Sequence, residues 1–189
     1  MIRAIIFDCF GVLAEDGWLP FKRRYIGENK QLADEVGDLG KQNEYGMMSN
    51  AEYLEKTSAL IGVPAQQLQK AIGRQKPNEE LFEYIASELK LKYKIGLLSN
   101  ANYDVVHELF TQEQAKVFDA TVLSVESRLI KPDPRMFELM CDRLGVEPEE
   151  CIFVDDVERY CDAAGLFGMY AIHYKDPDQC RTEIETIIR

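Results

Sequence analysis

The sequence predicts an α/β fold, a doubly wound parallel sheet with a helical segment inserted after its first strand. Three observations carry this. Five short apolar runs, at 2–7, 93–98, 120–124, 151–154 and 169–173, are rich in Ile, Val, Leu and Phe and lack clean alternation, as strands buried on both faces do. Helical stretches alternate with the runs from about residue 79 onward, which implies layered packing with right-handed crossovers. Polar residues close three of the runs: Asp8, Ser99-Asn100 and Asp155-Asp156. In an open parallel sheet, ligands and chemistry gather at the carboxyl ends of the strands.

The first strand ends in IIFDCFGVL, where Gly11 allows a sharp turn after Asp8. Residues 15–77 carry no convincing strand. They hold helix candidates instead: Ser49 or Asn50 can cap AEYLEKTSAL, and Pro64 opens AQQLQKAI. The predicted organisation is a core of residues 1–14 and 78–189 and a helical insert of residues 15–77, lying as a lid over the strand ends. Asn78 can cap 79–90, whose Leu81, Phe82, Ile85 and Leu89 follow helical spacing. Residues 102–110, 134–144, 157–166 and 178–188 read as helices, with Gly145 and Gly168 near C-terminal ends.

The chain has 189 residues and a formal net charge of -11. That length suits one ordinary core, or a core with a small insert. The charge argues against nucleic-acid backbones and anionic lipid surfaces as partners. A phosphate pocket must then be made locally positive by a lysine, helix N-termini or a metal ion. The five cysteines, at 9, 141, 151, 161 and 180, are scattered and form no CxxC pair, so thiols in a reducing compartment are expected. Arg3 and Asp8 break up the first apolar run, and no run approaches the roughly 20 residues of a spanning helix. A soluble cytoplasmic protein is expected. The sequence sets no oligomeric state.

Phosphoryl transfer needs a nucleophile, charge neutralisation and a phosphate cradle. Asp8 is a carboxylate able to accept a phosphoryl group. Asp155 and Asp156 end a strand that would bring them near Asp8. With the Phe10 backbone carbonyl they offer the hard oxygen ligands that Mg²⁺ prefers. Ser99 offers a hydroxyl, Asn100 and the following amides would open a helix toward an anion, and Lys131 supplies a compact cation. Taken singly, these residues also serve as helix caps or surface turns. Their ordered recurrence at strand ends points to one site.

LLSNA, RLIKPDPRMFELMCDRLGVEPEECIFVDD and the continuation VERYCDAAGLFGMYAIHY resemble motifs of the haloacid dehalogenase-like (HAD) hydrolase superfamily, in the subgroup with a helical cap after the first strand. The resemblance implies a Rossmann-like core and a Mg²⁺-dependent hydrolase for a small phosphorylated metabolite. It implies Asp8 as nucleophile and Ser99 as phosphate-binding hydroxyl. Lys131 would be the neutralising cation and Asp156 the direct metal ligand, with Asp155 beside it.

One position departs from the family pattern. Phosphatases of this family carry a second Asp two residues after the nucleophile, which protonates the leaving group and then activates water. Here that residue is Phe10, and such acid–base help is worth about 10²–10⁴ in rate. Three readings follow. The first is a phosphatase resembling sugar-phosphate phosphatases that lack the second Asp, with Glu15 or Asp16 reaching back and a bias toward good leaving groups. The second is a metal-independent 2-haloacid dehalogenase, although such relatives commonly have Tyr here and Thr where Val12 stands, and lack the acids kept as Asp155-Asp156. The third is a pseudoenzyme that binds a phosphorylated ligand or partner without turnover.

Trp18, Phe21, Lys22, Arg23, Arg24 and Tyr25 start the insert. The basic cluster reads either as a contact for the far end of a substrate or as the charged face of a helix with an apolar underside. Glu44 and Tyr45 could face the crevice from the insert. His107 and His173 are expected as surface or packing residues, and Cys9 as a core thiol turned away from Asp8.

Overall fold

The computed structural model describes residues 1–73 and 75–189. Strands β1 (Ala4–Phe7), β2 (Lys94–Ser99), β3 (Ala120–Leu123), β4 (Cys151–Asp155) and β5 (Tyr170–His173) form one all-parallel sheet in the order β3-β2-β1-β4-β5. β1 is central: Ala4–Phe7 pair with Lys94–Leu97 on one side and with Cys151–Val154 on the other. Its four residues are wholly buried, which is why β1 reads as a continuous apolar run.

Helices α1 (Trp18–Tyr25), α2 (Lys30–Glu44), α3 (Asn50–Ile61) and α4 (Ala65–Ile72) lie between β1 and β2. The remaining α-helices are α5 (Glu79–Tyr84), α6 (Val105–Leu109), α7 (Gln112–Ala115), α8 (Ser124–Ser127), α9 (Pro134–Leu144), α10 (Glu158–Phe167) and α11 (Pro177–Ile187). Successive strand residues face opposite ways, so Ile5 and Phe7 join one apolar cluster with residues of α5, α6 and α11. Ala4 and Ile6 join a second cluster with Met136, Phe137, Met140 and Leu144 of α9 and Ala164 of α10. A helix layer therefore covers each face of the sheet. Gly96 in β2 allows close approach on the second face, since a Cβ there would stand 2.9 Å from Met140 Sδ.

The four helices after β1 bury a separate cluster of Phe21, Met48, Tyr53, Leu54 and Leu68. The chain leaves the core and returns to it side by side: Ala14 bridges Pro77, and Glu15 N donates to the Lys76 carbonyl at 3.0 Å. Asn78 then fastens the return. Its amide donates to the Val12 carbonyl and the Tyr174 hydroxyl, and its carbonyl oxygen accepts from Leu81 N.

Several predicted boundaries shift. The helix expected from 102 starts at Val105, because Asp104 caps it by accepting from Val106 N and His107 N. Asn100 therefore does not open a helix. Ser49, not Asn50, caps α3. The 79–90 helix is α-helical to Tyr84 and continues as a π-turn over Ile85–Leu89. α2, α7 and α8 were not anticipated. No described helix is long and apolar enough to cross a membrane. All five cysteines are free and buried.

Candidate active site

Four loops at the carboxyl edge of the sheet meet around one lysine. Asp8 follows the last residue of β1, and its backbone N–H is held by the Val154 carbonyl at 2.9 Å. Asp155 ends β4, and Asp156 follows it. Carboxylate oxygens of Asp8, Asp155 and Asp156 lie within 4.8 Å of one another. Lys131 comes from the loop between α8 and α9, and its Nζ stands 2.7 Å from Asp8 Oδ1 and 2.5 Å from Asp155 Oδ2. The ammonium lies 5.1 Å from the centre of the Tyr160 ring and 5.5 Å from that of Phe153, so both aromatic faces contribute to its cage.

The electrostatics follow from crowding. Burial opposes the charge on Lys131, but Asp8 and Asp155 outweigh it, and the lysine is held cationic above its ordinary range. Burial pushes the Asp156 carboxyl up to about 6, with the neighbouring Asp8 charge adding and Lys131 opposing. Asp155 is also raised, by burial first, against the pull of Lys131. Both its oxygens are engaged: Oδ2 with Lys131, and Oδ1 with Val157 N at 2.8 Å, at the start of α10. Among the described residues, Lys131 is the only cation paired with these acids. Three carboxylates against one ammonium leave an excess of negative charge. An all-oxygen donor set with that excess fits a divalent cation such as Mg²⁺.

The loop after β1 is shaped to Asp156. Gly11 has φ +90°, and a Cβ there would overlap the Asp156 carboxylate. His173 contacts the Asp156 backbone carbonyl at 3.0 Å. Ser99 ends β2 and is buried, yet its Oγ finds no hydrogen-bond partner among the described residues. A buried hydroxyl left open beside a charged cluster fits an absent anionic ligand. Asn100 holds the lysine. Its Oδ1 accepts from Lys131 N at 2.7 Å, and its Nδ2 lies 3.3 Å from the Lys131 carbonyl. Lys131 is thus clamped at its backbone by Asn100 and at its ammonium by two carboxylates.

The family model for haloacid dehalogenase-like hydrolases matches residues 2–168. The chain belongs to the HAD-like hydrolases. Its fold resembles that of a HAD-like family hydrolase from Porphyromonas gingivalis, with TM-score 0.77 and 28% identity over 100% of this chain and 98% of that one. It also resembles a HAD family enzyme from Bacteroides thetaiotaomicron solved with magnesium and inorganic phosphate, with TM-score 0.70 and 26% identity over 93% of this chain and 95% of that one. Over 81 residues it is 33% identical to (S)-2-haloacid dehalogenase 4A of Burkholderia cepacia, an alignment covering 42% of this chain and 35% of the relative. The chain spans 19% to 39% of the length of the first curated relatives it matches.

In this HAD-like hydrolase Phe10 lies with its ring centre 6.3 Å from that of Tyr103, in the apolar lining next to Asp8. Asp16 accepts from Trp18 N and Leu19 N at the start of α1, and Glu15 is exposed. Lys22, Arg23 and Arg24 are exposed on α1 while Phe21 beneath them is buried, stacking on Trp18 at 5.6 Å. Lys22 and Arg23 thus match the charged-face reading. Arg24 lines a cavity of about 1110 Å³ between α1, α4 and the loop after β1. His107 is exposed and pairs with Asp104. Cys9 is wholly buried in the core, and burial raises its thiol pKa.

Sequence reasoning missed Tyr160 and Ser124. Ser124 exchanges two 3.0 Å hydrogen bonds with Ala101 and fixes the loop after Ser99. Neither residue has a local signature, since each acts on a segment distant in sequence. Glu44, which was anticipated, stands 3.4 Å from Asn100 Nδ2.

Proposed function

We propose that this HAD-like hydrolase is a Mg²⁺-assisted phosphatase for a small phosphorylated metabolite. The observation that supports it most is the meeting of Asp8, Asp155 and Asp156 around one buried lysine. In this reading an Asp8 oxygen attacks phosphorus, the bond to the leaving oxygen breaks, and an aspartyl-phosphate forms that water then hydrolyses. Ser99 Oγ donates to a phosphate oxygen. Lys131 orients Asp8 and offsets the charge that gathers on the transferring group. Asn100 positions Lys131. Asp8, Asp156 and the Phe10 carbonyl would hold the ion, with Asp155 behind them. Mg²⁺ there would supply positive charge against the dianion and leave the carboxylate free to approach it. Residues 15–77 would serve as the cap that excludes water and selects substrate, opening for product release.

One named relative is a 2-haloacid dehalogenase and an aromatic residue stands here at position 10, so a second reading is 2-haloacid dehalogenation at the same Asp8. The retained Asp156 beside Asp8 weighs against it, since displacement of halide by a carboxylate has no need of a cation.

The test is a phosphate-release screen over sugar, nucleotide and aryl phosphates, with and without Mg²⁺, beside the Asp8→Asn variant. Mg²⁺-dependent release that Asp8→Asn abolishes is expected. Chloride release from a 2-haloacid in the presence of chelator would transfer the assignment to dehalogenation. Phosphate-mimic binding without any turnover would make the chain a binding protein.

A further inference from the structure

Phe10 removes a proton carrier from the loop after β1, and α2 brings a carboxylate to the edge of the site. Glu44 is the last residue of α2. It is half-buried, and its Oε2 lies 3.4 Å from Nδ2 of Asn100, the residue whose other contacts fix Lys131. The Tyr160 hydroxyl stands 3.4 Å from the same nitrogen, so Glu44 and Tyr160 converge on Asn100 from opposite elements. Among the described residues Glu44 has no ion-pair partner. A carboxylate at the C-terminal end of a helix is also disfavoured by the helix dipole. Stability alone therefore gives no reason for an acid at this place.

We propose that Glu44, carried in by α2, is the general acid and then the general base of the phosphoryl transfer, the role that Phe10 cannot perform. The inference rests on the phosphatase reading above. In the first half-reaction the Asp8 oxygen forms its bond to phosphorus as the bond to the leaving oxygen breaks. The Glu44 proton goes to that oxygen and releases an alcohol. In the second, the Glu44 carboxylate takes a proton from water as the water oxygen bonds to phosphorus. The Asp8–phosphorus bond breaks, inorganic phosphate leaves, and both acids return to their starting forms.

The protonation state suits this work. Burial pushes the Glu44 carboxyl up to about 7, where it can both give and take a proton near neutral pH. Lys131 opposes the rise from the core, Asp8 adds to it, and Arg159 on α10 and Lys41 on α2 oppose it. Tyr53 on α3 and Tyr160 on α10 also act on it, and neither ionises near neutral pH, since burial raises both. Because Glu44 belongs to α2, the acid is in place only when the inserted helices are seated on the core.

The experiment compares wild type with Glu44→Gln on 4-nitrophenyl phosphate and glycerol phosphate. Gln keeps an oxygen for Asn100 and cannot carry a proton. The expected result is a fall of about 10²–10⁴-fold in kcat/KM for glycerol phosphate, with kcat/KM for 4-nitrophenyl phosphate close to wild type. The nitrophenolate should appear as a burst of one equivalent before a slowed steady state. In wild type, kcat/KM for glycerol phosphate should fall above pH about 7, and Glu44→Gln should lose that limb. Glu44→Asp should recover part of the glycerol phosphate activity. Equal losses on both substrates, or no loss on either, overturn the assignment and leave the phosphatase reading intact. A wild type that releases no phosphate from either substrate overturns that reading and this one with it.

Discussion

Lys131 is wholly buried between Asp8 and Asp155, and each partner limits where its ammonium can sit. Removing it leaves two buried carboxylates without their cation. Breaking a buried pair from one side costs about 3–5 kcal/mol, so Lys131→Met should lower unfolding stability by that order and abolish turnover, measured by denaturant titration and phosphate release. Asp156 gives a second expectation at this scale. Its carboxyl is raised to about 6 and must lose its proton to hold a cation. Below that pH binding must expel a proton, and above it the site is ready. Apparent Mg²⁺ affinity should therefore rise through pH 6 to a plateau, falling about tenfold per pH unit below it, as read by calorimetric titration between pH 5 and 8. Much of this site was legible in the sequence, because Asp8, Ser99 and Asp155-Asp156 each follow an apolar run at a strand's carboxyl end. The work of Asn100 was not. It bonds Lys131, a residue 31 positions away, and no local pattern records such a contact.

Among elements, the strands were the easiest to read. Two-sided burial writes itself as unbroken apolar runs, and β1, β2 and β4 lie where those runs do. α2 was harder, since Gly37 and Gly40 interrupt its apolar face of Leu32, Val36 and Leu39. The four-residue helices α7 and α8 are too short for periodicity to show. The Thr111–Gln114 capping box did mark α7 in the sequence and could have found it. Asn78 is where local and distant bonding coincide, capping α5 while tying Val12 and Tyr174. Loss of an N-cap costs about 1 kcal/mol. Asn78→Ala should cost more than that, because two further bonds go with it; a loss of only the capping amount would show that the ties to Val12 and Tyr174 contribute nothing.

At the scale of the molecule, the four helices after β1 meet the core along a polar seam. Asn102 donates to Asn43 of α2 and, at 3.0 Å, to Asn50 of α3. Asn100 approaches Glu44, and the Tyr103 hydroxyl donates to Gln75 at 3.0 Å. Apolar contact is concentrated within each body, in the sheet clusters and in the Phe21–Leu68 cluster. A seam of few hydrogen bonds opens at lower cost than either interior. Asn102→Ala should thus speed amide exchange in α2 and α3, measured by mass spectrometry, while β1 and β4 keep their protection. Faster exchange throughout the sheet would mean that the two bodies unfold as one.

The paired stems at Ala14 and Pro77 carry a wider consequence. A segment whose ends already touch behaves like a plug in a socket, and the entropy of closing a loop changes only slowly with its length. Helices of another number or length could be grafted at that junction without disturbing the central strand. The chemistry at the rim and the choice of what reaches it can therefore evolve as separate inheritances.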